Sequence, residues 1–352
     1  MGSKRKRGAK DGQNAGQNGS KKAKNDKAAT GVASRPSLEK KPFVESPIGE
    51  DRKREAGLYE MLGSDDENDR LAAAGCIVSS LLEGDAVSEA VLVRHLDRRL
   101  FRGLASGRNA SRLGFSLVIT EILGQLFGKD DLHSSKFPGL TFHKVLGFLK
   151  DKTLPEGNIA GQEERDHYFG QLFGIECFVR SQILFHQQSR WEIVLELLLK
   201  LSEKKVWLRS QCGWIIVQSL GQMSKSIAES TLQQLADAGF ARTPEGVAIW
   251  LVVSGRFPDV SVKPWRASPL STKSLGDVAT VLKESTTESN KDGNEKGTKQ
   301  SNWTAQLPFV WDLILAHYAS DEASADDLEQ FWNRVVDGKP RFCLASNGTL
   351  LT

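Results

Sequence analysis

The chain has 352 residues, 39% of them hydrophobic, and its eight tryptophans argue for a real core in one large unit or two smaller ones. The formal net charge is +3, but residues 1–54 carry 15 Lys or Arg and 6 Asp or Glu, which gives +9 there and −6 for the rest. A body that is acidic as a whole excludes a global nucleic-acid surface and allows only a local one. The polar start and the short apolar runs exclude a secretory signal peptide and a membrane span.

Residues 1–54 show no apolar periodicity and are rich in Lys, Gly, Asn, Ser and Ala. Such a segment buries too little apolar surface to offset its ordering entropy, so a disordered basic tail is predicted. Two basic clusters within it are spaced like a bipartite nuclear import signal, which predicts a nuclear location and an import receptor as partner. The alternative is a solvated tail that binds anions nonspecifically. The clusters comprise Lys4, Arg5, Lys6, Arg7, Lys21, Lys22 and Lys24.

Helical spacing of apolar residues recurs through the rest of the chain, and no strand pattern competes with it. Capping signals are predicted at Ser189 with Glu192, at Thr243 with Pro244, and at Ser324 with Asp327. Residues 285–302 contain no apolar residue, which predicts a flexible insertion. The predicted helices cover 52–61, 65–82, 91–105, 109–127, 142–149, 162–185, 189–202, 206–221, 224–238, 244–253, 275–283, 307–319 and 325–336.

Successive helices joined by short loops predict an all-α fold. The pairs 91–105 with 109–127 and 189–202 with 206–221 look like repeated helical hairpins. An irregular α-solenoid of HEAT or armadillo type over residues 55–340 fits best, and a compact irregular helical bundle is the alternative. Residues 341–352 are predicted to form an irregular C-terminal end.

The hairpin at 91–127 is predicted to turn at Ala105-Ser106-Gly107. At about 100° per residue, its first helix places the leucines on one half and the arginines, with His95, on the other. The second helix is apolar around most of its axis, so it should be covered on several sides. Gly114, Ser116 and Gly124 should let another helix approach it closely.

The arginines of this hairpin form a candidate contact site. Like charges four residues apart are mildly unfavourable in an isolated helix, and cations at a helix start oppose its dipole. A phosphate or acidic partner would explain the pattern. Three interpretations stay open: pairing or solvation within the protein, nucleic-acid binding, and binding to an acidic protein surface. The candidate residues are Arg94, Arg98, Arg99, Arg102, Arg108 and Arg112.

The same stretch carries a family resemblance. The run LFRGLAS at 100–106, followed by Arg108, Ala110, Arg112 and GFS at 114–116, resembles the N-terminal signature of one nucleolar family. That family comprises the Myb-binding nucleolar proteins and their fungal relatives, named DNA polymerase phi or DNA polymerase V. Three further segments follow in the family's order, namely RDHYFGQLFG at 165–174, KVWLR at 205–209 and TPEGVAIWL at 243–251. The likeness spans residues 55–335 and covers only the N-terminal part of the family.

The resemblance implies an α-solenoid in the nucleus and nucleolus that acts in rRNA transcription or ribosome biogenesis. It implies rDNA, rRNA or pre-ribosomal proteins as partners. A protein-only adaptor in transcription regulation is one alternative, and a DNA polymerase, as the family name suggests, is another. The last residues, 342–352, do not resemble the family's continuation.

The residues themselves do not support catalysis. Nucleotidyl transfer needs carboxylates that converge on two metal ions about 3.5–4 Å apart. The acidic pairs at 65–66 and 326–327 fall at helix starts, and the pair at 130–131 falls in a loop. A P-loop, a G-x-S-x-G elbow and zinc spacing among the four cysteines are all missing. No enzyme, cofactor, metal or small-molecule substrate is therefore predicted. Tryptophans are assigned mostly to the core; Trp265 is the one most expected to be exposed, although a loop anchor is favoured.

Overall fold

A computed structural model describes residues 36–84, 86–157, 159, 161–265, 268–288, 309–320 and 323–337. The seven predicted import residues (Lys4, Arg5, Lys6, Arg7, Lys21, Lys22 and Lys24), positions 289–302 of the predicted insertion and the predicted end 341–352 lie outside these ranges. The described residues are helical with no strand, which confirms the all-α class. No helix among them is long and apolar enough to span a membrane.

Each helix is labelled in chain order. The third is continuous through Glu89–His95, a π-helical turn at Leu96–Leu100 and an α-helical turn at Phe101–Gly103, together called α3. Short 3-10 turns at Val206–Leu208 and Phe240–Arg242 precede two of the others. The remaining bounds are α1 Gly49–Leu62, α2 Glu67–Leu82, α4 Asn109–Phe127, α5 Leu132–Ser135, α6 Phe142–Thr153, α7 Gln162–Arg180, α8 Gln188–Lys204, α9 Arg209–Leu220, α10 Lys225–Asp237, α11 Pro244–Arg256, α12 Leu275–Glu288, α13 Val310–Tyr318 and α14 Ala325–Phe331, which continues into a π-helical turn at Trp332–Asp337.

Helices that are close to each other in the sequence also pack against each other in the structure. In one row α2 contacts α4, α4 contacts α7, α7 contacts α9, α9 contacts α11 and α11 contacts α13. The intervening helices α3, α6, α8 and α10 pack against this row. Because each helix in the row buries its apolar side between two others, one continuous core runs from α1 to α14.

Several helix ends follow local sequence signals. Thr243 caps α11 with Pro244 in its first turn, and Ser324 and Asp327 form the predicted capping box of α14. The predicted cap at Ser189 is wrong, because α8 begins at Gln188 and Ser189 lies inside the helix; the residue at the cap position, Gln187, makes no side-chain cap.

Two predicted boundaries are also wrong. The helix predicted to reach residue 185 ends at Arg180, because Gln182 takes a left-handed φ of 59°. Ile183 and Leu184 are buried beyond the helix end, so they extended the apolar pattern without extending the helix. Helix α12 runs to Glu288, four residues into the predicted insertion, because a polar helix end needs no apolar partner to continue its backbone hydrogen bonds.

The predicted tail boundary at residue 54 needs correction as well. Residues 36–48 lie against the helical body, and α1 begins at Gly49. Phe43 is buried, its amide donates to the Ser80 carbonyl at 2.9 Å, and Arg54 donates to the carbonyls of Glu39 and Lys41. One buried aromatic ring and these hydrogen bonds hold a segment that shows no apolar periodicity.

Gly114 provides the close approach that the sequence predicts. It lies against the carbonyl oxygen of Leu62 at the end of α1, where any Cβ would collide with the backbone. A Cβ at Gly124 would meet nothing within 4 Å, so the same prediction is wrong for Gly124. The first turn of α4 is thus fixed against α1, which places the arginines around it.

Candidate nucleic-acid interface

Arg94 is turned into the protein, and its side chain is 19% exposed. Its two terminal nitrogens donate to the two carboxylate oxygens of Glu55 at 2.9 Å each, and the Glu55 side chain is 4% exposed. A further hydrogen bond of 3.1 Å reaches the Val44 carbonyl. Arg94 therefore joins α3 to α1 and to the N-terminal segment, which corresponds to the internal-pairing alternative.

His95 completes this buried cluster, although the helical wheel assigned it to the arginine half. Its ring stacks on Phe43 with centroids 4.6 Å apart, and its Nδ1 and Nε2 lie 2.7 Å from Tyr59 Oη and 2.8 Å from an Arg94 nitrogen. Because a guanidinium can only donate, Nε2 accepts and the neutral ring carries its proton on Nδ1. Burial, followed by the charges of Arg94 and Arg99, lowers the pKa of His95 to about 3.

Arg112 is also held inside the protein. It donates to the Ser106 carbonyl, lies 3.4 Å from the Asp166 carboxylate, and sits over the rings of Phe169 and Phe173 at 5.2 and 5.7 Å. This arrangement ties the hairpin turn and α4 to α7. Arg112 therefore has a structural role.

Arg108 is different because it is 60% exposed. It pairs with Asp65 at 3.1 Å, and that carboxylate is 88% exposed. A pair this open to solvent contributes little and is easily exchanged for another partner.

Three arginines of α3 face solvent: Arg98, Arg99 and Arg102, called here the exposed arginine patch. Within the described ranges Arg98 and Arg102 form no ion pair. Arg99 lies over the Tyr59 ring at 5.8 Å, a cation–π contact that leaves its nitrogens free to donate. The patch is the part of the predicted site that stays accessible.

The π-helical turn at Leu96–Leu100 explains the separation of the arginines. Hydrogen bonds from residue i to i+5 reduce the rotation per residue, so residues after the turn are rotated relative to a regular α-helix. The arginines at four-residue spacing therefore do not lie on one face of α3. Arg94 precedes the turn and meets α1, whereas Arg98 and Arg102 line a cavity of about 530 Å³ at the end of α6 and the start of α7.

This cavity has mixed charge. The carboxylates of Asp97, Asp151, Glu156 and Glu163 line it together with the two arginines, and Asp97 pairs with Lys152 at 2.9 Å. These acids reduce the long-range attraction that the arginines alone would exert on a polyanion. Any contact with phosphate here is consequently local.

The acidic pairs serve local structure. Asp66 caps α2 by accepting from the Asn68 amide at 2.8 Å, and Asp327 belongs to the capping box of α14. Asp131 precedes α5 with a left-handed φ of 44°. In the part of the chain that the structure describes, no group of three or more His, Cys, Asp or Glu residues could hold a metal ion.

Two tryptophans differ in exposure. Trp265 is buried and its indole nitrogen donates to the Ala241 carbonyl at 2.9 Å, which confirms the loop-anchor interpretation. The sequence predicts Trp214 in the core, but the structure leaves it 43% exposed, with its ring packed edge-on against Phe309 at 5.4 Å between centroids.

Comparison with known proteins identifies the family. The sequence pattern of the family described as DNA polymerase phi matches residues 95–343. The rDNA transcriptional regulator pol5 of Schizosaccharomyces pombe is 31% identical over 302 residues, which are 81% of this chain and 29% of the relative. The rDNA transcriptional regulator POL5 of Saccharomyces cerevisiae is 27% identical over 289 residues, covering 73% of this chain and 28% of the relative.

A more distant relative is the Myb-binding protein 1A-like protein of Danio rerio, 24% identical over 224 residues, covering 62% of this chain and 16% of the relative. The chain thus spans less than a third of the length of these curated relatives. No solved structure matches it. The family match and the fungal similarity agree with the signature at 100–116, and the chain belongs to the DNA polymerase phi family.

Proposed function

We propose that the chain is a helical scaffold in the nucleus and nucleolus that acts in the regulation of rDNA transcription. Membership of the family and the names of the two fungal relatives, both rDNA transcriptional regulators, support this role. Its proposed partners are an import receptor, rDNA or rRNA, and pre-ribosomal proteins. Catalysis is not part of the proposal, since the acidic pairs at 65–66 and 326–327 contribute to helix caps.

The scaffold is proposed to be an irregular α-solenoid of HEAT or armadillo type. The supporting observation is the row α2, α4, α7, α9, α11 and α13, with the intervening helices packed against it. In such a solenoid each helical hairpin contacts mainly its neighbours, so a long surface is available for partners.

Nucleic acid is proposed to bind the exposed arginine patch, with Arg108 at its edge. The observation that carries this step is the exposure of Arg98 and Arg102 without an ion pair within the described residues. Guanidinium groups bind phosphate oxygens through paired hydrogen bonds, so adjacent free arginines are suited to a phosphate backbone. Arg94 and Arg112 would act only indirectly, by fixing α3 and α4.

A second candidate is a protein-only adaptor whose patch meets an acidic protein surface. The name of the Danio rerio relative, Myb-binding protein 1A-like protein, favours this class. The two candidates differ in whether isolated protein binds nucleic acid directly.

Occupancy of the chain on rDNA in cells tests the role. A tagged wild-type chain and an Arg98→Glu, Arg99→Glu, Arg102→Glu variant would be crosslinked and their rDNA recovery and pre-rRNA synthesis compared. The proposal expects rDNA enrichment for the wild-type chain and a loss of enrichment for the folded variant. Absence of wild-type enrichment would contradict the rDNA role, and equal enrichment of the variant would contradict the patch.

A further inference from the structure

In the described part of the chain, a groove between α2, α4 and α7 exposes apolar side chains of two helices. We propose that this groove binds an amphipathic helix of a partner protein that carries leucine-like residues flanked by Lys or Arg. Its apolar residues are Leu71, Leu113 and Leu117, which are 50%, 41% and 43% exposed, and we call it the leucine groove. It is separate from the exposed arginine patch, and the inference does not depend on nucleic-acid binding.

The sequence of α4 explains why the groove is apolar. That helix is hydrophobic around most of its axis, a pattern typical of a helix covered on all sides. In the structure α1, α2, α3 and α7 cover the sides that bear Val118, Ile119, Ile122 and Leu123, which are fully buried. The side that bears Leu113 and Leu117 is left open. One side of an otherwise core-like helix is therefore exposed to solvent.

The shape of the groove suits a helix. The cavity has a volume of about 690 Å³ and is lined by Leu71 of α2, by Leu113 and Leu117 of α4, and by Phe173 and Cys177 of α7. Leu113 and Leu117 are one helical turn apart on α4, so they form a ridge along the helix axis. A partner helix with apolar residues at i and i+4 can lay them beside this ridge, the arrangement used in helix-in-groove recognition.

The charges at the groove specify the flanks of the partner. Glu67 lies one turn before Leu71 on α2, and Glu121 lies one turn after Leu117 on α4. Neither carboxylate forms an ion pair within the described part of the chain, although Gln125 donates to Glu121 at 2.7 Å. Carboxylates at the edge of an apolar surface attract basic residues and repel acidic ones, which fixes partner choice.

The cations at the groove are already engaged. Arg180 pairs with Glu176 at 2.6 Å, and Arg70 donates to the backbone carbonyls of Ser64 and Asp65 at 2.9 and 3.0 Å. Hydrogen bonds to neutral carbonyls leave the charge of Arg70 in place, so the three glutamates and two arginines that line the groove sum to −1, and the charge around the leucines is weakly negative. This is the reason for assigning a basic, amphipathic helix to the groove and not an acidic one.

The test uses the full chain and a synthetic peptide that forms a helix with leucines at i, i+4 and i+7 and lysines beside them. Two matched peptides have glutamate in place of lysine or the same residues in scrambled order. Binding is followed by fluorescence anisotropy. A Leu71→Ser, Leu113→Ser, Leu117→Ser variant, called the groove variant, replaces the three exposed leucines of the groove with polar residues. Leu38→Ser, Leu315→Ser, Leu328→Ser changes three leucines that are exposed elsewhere, and circular dichroism checks that both variants are folded.

The proposal expects the basic peptide to bind the wild-type chain and the control variant with equal affinity. It expects the groove variant to bind at least about 10-fold more weakly. It also expects Glu67→Lys, Glu121→Lys to reverse the preference between basic and acidic peptides. Equal binding by groove and control variants, or no binding of the basic peptide, would overturn it. A dimer that the groove substitutions abolish would assign the surface to a second copy and also overturn it. The groove variant should bind nucleic acid with the same affinity as the wild-type chain. This measurement separates a failure of the groove proposal from a failure of the arginine patch.

Discussion

Arg94 donates two hydrogen bonds of 2.9 Å to the carboxylate of Glu55, although 38 other residues separate them in sequence. The pair is shielded from water and shares its environment with the neutral ring of His95. A residue predicted to recognise a partner thus fixes the helix that presents the exposed arginine patch.

Removal of one partner from this pair should destabilise the fold strongly. Glu55→Gln leaves Arg94 charged and largely buried without a counterion, and such changes cost about 3–5 kcal/mol. Urea denaturation of the two proteins measures the difference. Glu50→Gln is the control, because the Glu50 carboxylate is 87% exposed and its loss should change stability by about 0.5 kcal/mol or less. Equal midpoints for the two variants would contradict a structural role for the pair.

A pair of glycine substitutions tests the contact between α1 and α4. Gly114→Ala forces a methyl group against the Leu62 carbonyl and should cost about 1–3 kcal/mol or more. Gly124→Ala lies in the same helix in open space, so higher helix propensity should stabilise the protein by about 0.5–1 kcal/mol. Thermal unfolding distinguishes them, and a Gly114→Ala protein as stable as the wild type would show that the two helices separate easily.

The buried His95 should make stability depend on pH. Its pKa is about 3 in the folded protein and near 6.5 when unfolded, so the unfolded state binds the extra proton between these values. Stability is therefore lost as pH falls below 6.5, by about 2 kcal/mol between pH 7 and pH 5 from this group. Chemical denaturation at both pH values measures it. His95→Gln should reduce the pH dependence by that amount, and an unchanged slope would mean that another group is responsible.

The predicted import signal can be tested directly in cells. Replacement of Lys4, Arg5, Lys6, Arg7, Lys21, Lys22 and Lys24 by Ala removes both basic clusters, so an import receptor loses its electrostatic contact. A tagged variant should accumulate in the cytoplasm, as seen by fluorescence microscopy. Alanine at Lys150, Lys200 and Lys225, which are exposed on the helical body, is the control and should leave the protein nuclear. Nuclear accumulation of the seven-alanine variant would refute the assignment.

Local signals in the sequence predicted much of the helical framework. Apolar spacing located the helices, and Thr243-Pro244 and Ser324 with Asp327 marked two of their starts, because caps act within one turn. Such signals do not predict features that depend on one buried residue or on one backbone angle. Phe43 holds a segment without periodicity, and the left-handed Gln182 ends α7 while the apolar pattern continues.

The candidate site was only partly predictable for the same reason. A helical wheel assumes uniform rotation and cannot contain the π-helical turn that separates Arg94 from Arg98. Nor can it show that Glu55 and Asp166, from distant parts of the chain, would neutralise Arg94 and Arg112. The wheel did predict the exposure of Arg98, Arg99 and Arg102, because none of the described segments that contact them buries them.

Binding of nucleic acid by the exposed arginine patch is tested most directly by a salt series with purified protein. The affinity for duplex rDNA and for rRNA is measured for the wild-type chain and for Arg98→Glu, Arg99→Glu, Arg102→Glu. Arg52→Glu, Lys129→Glu, Arg242→Glu changes the charge equally at exposed cations elsewhere and is the matched control. Each protein is first shown to be folded.

If the patch contacts phosphates, its variant should bind at least about 10-fold more weakly than the control variant. Its plot of log affinity against log salt concentration on duplex DNA should be shallower by about 2–3, since each lost phosphate contact removes about 0.9 from the slope. Equal affinity and equal slope for the two folded variants would show that Arg98, Arg99 and Arg102 do not bind nucleic acid.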